Sequence, residues 1–189
     1  VSLTLFFMKK VFFMFFLSSA FIYSQESSKT YTVLKKIGEI EIREYKQLLY
    51  ASYLDDDPTA ESSSSFRILA NYIFGYNKKN EEISMTSPVV IRLFNNNEML
   101  FRMPDKYTFK NVPQPINEDV KLIKTEAVKK AVIQYAGYSN AMIEKQKIKE
   151  LSTILDENNI RYNNEFELFV YDPPYKFFNR KNEISVNLD

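Results

Sequence analysis

Ser62-Ser63-Ser64-Ser65-Phe66-Arg67-Ile68-Leu69-Ala70-Asn71-Tyr72-Ile73-Phe74-Gly75 is the stretch from which the rest of the chain can be ordered. Its apolar side chains at Phe66, Leu69, Ala70 and Ile73 stand at i, i+3, i+4 and i+7, the repeat of one helix face. The serines ahead of Phe66 offer hydroxyls to the free N–H groups of a first helical turn. Gly75 can adopt the left-handed conformation that closes a helix. A short amphipathic helix is expected here, and it must bury its stripe against another element.

Upstream, residues 31–36 open the fold. Ile40 and Ile42 then alternate with polar neighbours, as a half-buried strand requires. Residues 47–54 form a second extended segment, which Asp55-Asp56-Asp57-Pro58 breaks. Three adjacent carboxylates lack the alternating spacing of a calcium loop, so this reads as a solvated turn. Downstream, Val89, Ile91 and Leu93 lead through Asn95-Asn96-Asn97 into Met99, Phe101 and Met103, a hairpin pattern. Pro104 and Pro113-Gln114-Pro115 make a connector.

Beyond the connector the order recurs. Val120, Leu122 and residues 131–135 are extended, and Gly137 and Asn140 introduce a second helix with Ala141, Ile148, Leu151 and Leu155 on one stripe. Phe166, Leu168 and Val170, then Ile184, Val186 and Leu188, form two strands. Each half is strand, helix, strand, strand, a repetition of element order rather than residue identity. The expected architecture is α+β: duplicated βαββ units forming a distorted antiparallel β-barrel of about eight strands flanked by two helices. A helix laid over a curved sheet leaves a groove at its edge, where a flat ligand could enter.

Composition sets limits on the chemistry. The 189 residues suit one domain, and 45% apolar with 26% charged is the mix of a globular protein. Sixteen Phe and 13 Tyr must fill much of the core, and three Gly leave little scope for a phosphate-cradling loop. A net charge of +1 gives no electrostatic case for nucleic acid. The chain has neither histidine nor cysteine. That excludes disulfides, thiolate nucleophiles, Cys/His zinc sites, Ser–His–Asp triads and histidine- or thiolate-ligated haem.

The first segment reads as an address. Lys9-Lys10, the apolar run Val11-Phe12-Phe13-Met14-Phe15-Phe16-Leu17 and the small Ser18-Ser19-Ala20 are the three parts of a secretory signal peptide. The apolar run, about 12 residues at most, falls short of the roughly 20 that span a bilayer, and residues 1–7 add apolar length that leaves an uncleaved anchor as the other reading. Cleavage is expected after Ser24, with Met8 as an alternative start. The expected organisation is a signal peptide over residues 1–24, a short flexible segment over 25–30 and one domain over 31–189. Removing the leader takes Lys9 and Lys10 and no carboxylate, leaving a nearly neutral, exported protein without a membrane span.

Four blocks in order resemble the SOUL/haem-binding protein family. They are Ile40-Glu41-Ile42-Arg43-Glu44-Tyr45; the helix through Gly75-Tyr76-Asn77 with Met85-Thr86-Ser87-Pro88-Val89; Phe101-Arg102-Met103-Pro104 with Pro113-Gln114-Pro115; and Tyr171-Asp172-Pro173-Pro174 with Arg180-Lys181-Asn182-Glu183-Ile184. The resemblance covers residues 31–189. It implies a fold related to gyrase-inhibitor-like effector-binding domains. It also implies binding of haem or protoporphyrin in an apolar surface cleft along the first helix, without an obligatory axial ligand.

Carried over by position, the cofactor-binding residues are Phe66, Arg67, Leu69, Ala70 and Ile73, with Lys176 as the base for a porphyrin propionate. The family pattern has further basic residues on the first helix, where this chain has Ser63 and Asn71; Arg67 is the nearest replacement. Tyr72 is the candidate axial ligand, since a tyrosinate can hold ferric haem, and a buried structural tyrosine is its other reading. Arg180 and Glu183 read as an ion pair or cap at the barrel rim.

The expected function is non-enzymatic tetrapyrrole binding by a periplasmic or extracellular monomer. One alternative is a small-molecule hydrolase of the effector-binding type, with Glu183 as the catalytic carboxylate. Another is a binding module for a different apolar ligand or a protein.

Overall fold

The computed structural model describes residues 30–55 and 62–189. The leader, residues 25–29 of the flexible segment and the turn at Asp56, Asp57 and Pro58 lie outside the described residues. The elements run β1 (Tyr31–Ile37), β2 (Ile40–Tyr45), β3 (Leu49–Tyr53), α1 (Ser62–Ile73), β4 (Val89–Arg92), β5 (Glu98–Arg102), β6 (Lys121–Lys124), β7 (Val128–Ala136), α2 (Ala141–Glu157), β8 (Tyr162–Val170) and β9 (Lys181–Leu188).

Local chemistry ends the helices as the sequence suggests. At the end of α1, Tyr76 N–H donates to Asn71 O at 2.9 Å while Gly75 sits at φ +107°. That is the six-residue closure a left-handed residue permits. Asn140 caps α2, its side-chain oxygen accepting from the N–H groups of Met142 and Ile143. Asn96 and Asn97 both take positive φ in the β4–β5 turn, which Asn tolerates better than most residues.

All strands join one antiparallel sheet in the order β1-β2-β7-β9-β8-β4-β5-β3-β6. The duplication is written in that order. In the first unit β5 lies between β3 and β4; in the second β9 lies between β7 and β8. The units meet where β4 pairs with β8, Val90 opposite Phe169. β2 then extends the second unit beyond β7, and β6 extends the first beyond β3.

Among the described residues the sheet does not close into the expected barrel: β1 and β6 are its edges, and no pairing joins them. Their chemistry explains this. β6 is four residues long with Lys121 and Lys124 at its ends, and β1 is exposed over most of its length and carries Lys35 and Lys36. Short, lysine-bearing edges resist strand addition.

Both helices cover the same face. Beneath α1 lie Ala51, Met99 and Phe101; beneath α2 lie Ile133, Leu168 and Ile184. Leu69, Ile73, Leu151 and Leu155 are almost fully buried there, each stabilising the fold by roughly 1.5–3 kcal/mol. Among the described residues no helix covers the opposite face, yet Tyr45, Val90, Leu100, Val132 and Phe169 form a buried cluster on it. Tyr31, Tyr50, Ile123, Val128 and Tyr171 pack against this cluster from around it.

Candidate ligand surface

The α1 stripe is core. Leu69 and Ile73, with Tyr72 beside them, pack against Met99, Phe101, Met103, Tyr107 and Val112, so the protein's own side chains fill the space between helix and sheet. Ala70 is 9% exposed. Phe66 and Arg67 reach the outer side, Phe66 being 37% exposed with its ring edge-on to Phe101 at 5.2 Å. Tyr72 is 1% exposed and its hydroxyl donates to Pro113 O at 2.7 Å. Burial pushes its pKa up, so the structure holds it as a neutral core tyrosine.

The helix exit exposes apolar groups that the stripe pattern missed: Phe74, Tyr76 and Met85. Phe74 directly follows Ile73, one step around the helix, so a core-directed repeat cannot include it. Its exposure is a property of the exit turn.

The β8–β9 loop is the second part of the surface, and its backbone is clamped. Arg180 Nη1 donates to Pro173 O at 2.7 Å and to Lys176 O at 3.3 Å, and Nη2 donates to Asp172 O at 3.2 Å. The guanidinium also lies over the Tyr138 ring, 4.7 Å from its centre. Arg180 is thus a loop clamp rather than the expected partner of Glu183. Asp172 Oδ2 accepts from Lys181 N–H at 2.6 Å, and Oδ1 accepts from Lys176 Nζ at 2.7 Å. Lys176 and then the Lys181 amide hold the Asp172 carboxyl below its ordinary range. From this frame Tyr175, Phe177 and Phe178 project into solvent at 76%, 71% and 84% exposure.

Helix exit and loop are neighbours. Ile83 N–H donates to Ile73 O at 2.7 Å, and Ser87 Oγ donates to Tyr171 O at 3.3 Å. Three residues separate Ile83 from Ser87, so the four steps between them reach at most about 14 Å. The segment 83–87 therefore links the end of α1 to the root of the loop.

Glu183 lies on the sheet's other face and is fully buried. Oε1 accepts from Arg43 Nη2 at 3.0 Å and Lys181 Nζ at 2.9 Å; Oε2 accepts from Arg43 Nη1 at 2.8 Å and the Tyr171 hydroxyl at 2.7 Å. Burial alone would raise its pKa, but Arg43 above all, with Lys181 and Tyr171, brings it below the ordinary value. Four donors occupy the two oxygens. None of the lone-pair sites is left for a substrate water.

Among the described residues no group of His, Cys, Asp and Glu could hold a metal ion, and no helix is long and apolar enough to cross a membrane. The outer surface offers flat apolar contact and a nearby ammonium, which fits a porphyrin held through its ring and carboxylates.

Two βαββ units sharing one antiparallel sheet, with both helices on one face, define the fold of the effector-binding domains. Solved structures agree. The chain is similar to an uncharacterized conserved protein from Listeria innocua, with a TM-score of 0.60 at 12% identity over 80% of this chain and 92% of that one. A hydrolase from Listeria innocua gives 0.57 at 11% identity with the same coverage, and the EcmrR C-terminal domain gives 0.55 at 12%, covering 84% and 98%. At such identities the likeness concerns the fold alone.

The chain belongs to the SOUL heme-binding protein family, whose model matches residues 26–187. It is 28% identical to "Heme-binding protein 1" of Mus musculus over 125 residues, 61% of this chain and 65% of that protein. It is 26% identical to "Heme-binding protein 2" of Homo sapiens over 158 residues, 78% and 77% respectively. The matched region thus spans just under two thirds of the length of several curated relatives.

Proposed function

We propose that this protein binds haem or protoporphyrin on the outer surface between the α1 exit and the β8–β9 loop, without a histidine ligand and without catalysing a reaction. The observation that carries this reading is the clamped loop bearing Tyr175, Phe177 and Phe178. Three highly exposed rings on a hydrogen-bonded backbone form a surface that a flat apolar ligand would cover. Phe74, Tyr76 and Met85 supply the helix side at the α1 exit. Phe66 and Arg67 extend it back along the helix, backed from the core by Leu69, Ala70 and Ile73, and Lys176 adjoins the rings in sequence for a propionate. The relatives' names support the ligand class. A bound haem would bring an iron to this surface, and the chain has no histidine or cysteine to hold it.

The hydrolase alternative fits less well. Glu183 is ionised, enclosed and fully hydrogen-bonded, whereas a general base needs a free lone pair aimed at a water. The cationic start, apolar run and small-residue exit within residues 1–24 support action in the periplasm or outside the cell. Titration of the leaderless protein with hemin tests the main reading. A saturable Soret shift at micromolar concentration, with a pentacoordinate or weakly ligated spectrum, is the expected result. A response no greater than that of an unrelated protein of similar size overturns it.

A further inference from the structure

We infer that Asp172 is a built-in placeholder for the ligand's carboxylate, so that the site selects tetrapyrroles with a free propionate and gains affinity when Asp172 loses its charge. The inference rests on the tetrapyrrole reading above and extends it to a residue that would set specificity. The Lys176 ammonium sits 2.7 Å from Asp172 Oδ1, so a propionate approaching Lys176 meets an ammonium already occupied by a carboxylate. Binding is then an exchange of one carboxylate for another on the same cation.

Two features make the exchange feasible. The Lys176 side chain is 42% exposed, so its ion pair is water-screened and cheap to break. The loop does not depend on it for shape either. Arg180 holds three backbone carbonyls, and Asp172 uses its other oxygen, Oδ2, to hold Lys181 N–H. Lys176 can therefore swing to a ligand while the frame around the aromatic rings stays closed. The same Oδ2 contact explains why an aspartate here can serve two roles, and Asn in its place keeps an oxygen for the Lys181 amide.

The test compares protoporphyrin IX with its dimethyl ester, which has the same ring and no free carboxylate, by fluorescence and absorbance titration. For Asp172→Asn, protoporphyrin affinity should rise about two- to fivefold, the size of an exposed ion pair, while ester affinity stays put. Lys176→Met should lower protoporphyrin affinity and leave the ester unchanged, and in the double variant the Asp172→Asn gain should vanish. Unchanged or weaker protoporphyrin binding by Asp172→Asn, with ester affinity intact, overturns the placeholder while sparing the tetrapyrrole reading. An equal change for both compounds means the loop shape was altered, and overturns it too. Failure of the wild type to bind either porphyrin overturns both readings.

Discussion

Arg43 and Glu183 meet as a two-pronged pair, Nη1 to Oε2 at 2.8 Å and Nη2 to Oε1 at 3.0 Å, across 140 positions of sequence. Their strands, β2 and β9, are not neighbours; β7 runs between them. The pair ties β2 to β9 across β7. Tyr31 adds its ring, 4.2 Å from the guanidinium, as a cover from β1.

Removing one member of such a buried pair strands the other charge. Arg43→Met is expected to cost roughly 3 kcal/mol, at the low end for buried pairs because Lys181 and Tyr171 still reach Glu183. Arg43→Met with Glu183→Leu should recover part of that loss, since no lone charge remains buried. Urea unfolding monitored by circular dichroism decides the point. A single variant within 1 kcal/mol of wild type would show that the pair contributes little.

The same pair sets an acid limit. The pKa of Glu183 is lower in the folded protein than its ordinary value of 4.5, as are those of Glu41 and Glu98, and that of Asp172 lies below its ordinary 3.8. A depressed carboxyl contributes stability that is present above its unfolded pKa and is lost as pH falls through the folded one. Urea midpoints should therefore be alike at pH 7 and about pH 5.5 and decline below about pH 4.5. Glu183→Gln should start lower at neutral pH and decline less steeply. A midpoint that rises on acidification to about pH 3.5 would contradict this account.

Much of the fold was legible because periodicity reports directly on burial. Leu69 and Ile73 in α1, Leu151 and Leu155 in α2, and Ile184 and Val186 in β9 are all buried as their spacing requires. The recurrence of strand, helix, strand, strand was legible for the same reason. Closure was not, because an eight-strand count does not say whether two edges will pair, and Lys121, Lys124, Lys35 and Lys36 speak only once the edges are known. The candidate surface was the least legible part. A stripe of Phe66, Leu69, Ala70 and Ile73 reads identically whether it meets a ligand or a sheet, and most of it meets the sheet. In sequence Arg180 and Glu183 read as an ion pair or cap, but the planar fork of Arg180 meets three carbonyls of its own loop. Glu183 instead found Arg43, which lies too far along the chain for any local pattern to suggest.

Gly75 isolates a backbone effect. At φ +107° it ends α1, and a Cβ built there would meet nothing closer than Asn80 O at 3.9 Å. Gly75→Ala therefore creates no clash, and its cost should come from the left-handed backbone alone, about 1–2 kcal/mol. Asn140→Ala, which removes a cap from α2, should cost about 1 kcal/mol for a different reason. Thermal unfolding of both variants checks the pair of values. A Gly75→Ala protein as stable as wild type would mean that the α1 exit relaxes out of the left-handed conformation.

Core and surface aromatics should separate cleanly under mutation. Leu69 has no solvent exposure, so Leu69→Ala should cost about 2–5 kcal/mol of stability through the cavity it leaves. Hemin affinity of the protein that remains folded should change less than twofold. Phe177 and Phe178 have the opposite character, 71% and 84% exposed, and their replacement by Ala should leave stability within about 0.5 kcal/mol. Hemin affinity should then fall at least about tenfold, because two rings no longer cover the porphyrin face. Unfolding curves and Soret titrations on the same samples give both numbers. Loss of hemin binding in Leu69→Ala at full folding, with Phe177→Ala and Phe178→Ala unaffected, would move the ligand from the outer surface to the space beneath α1.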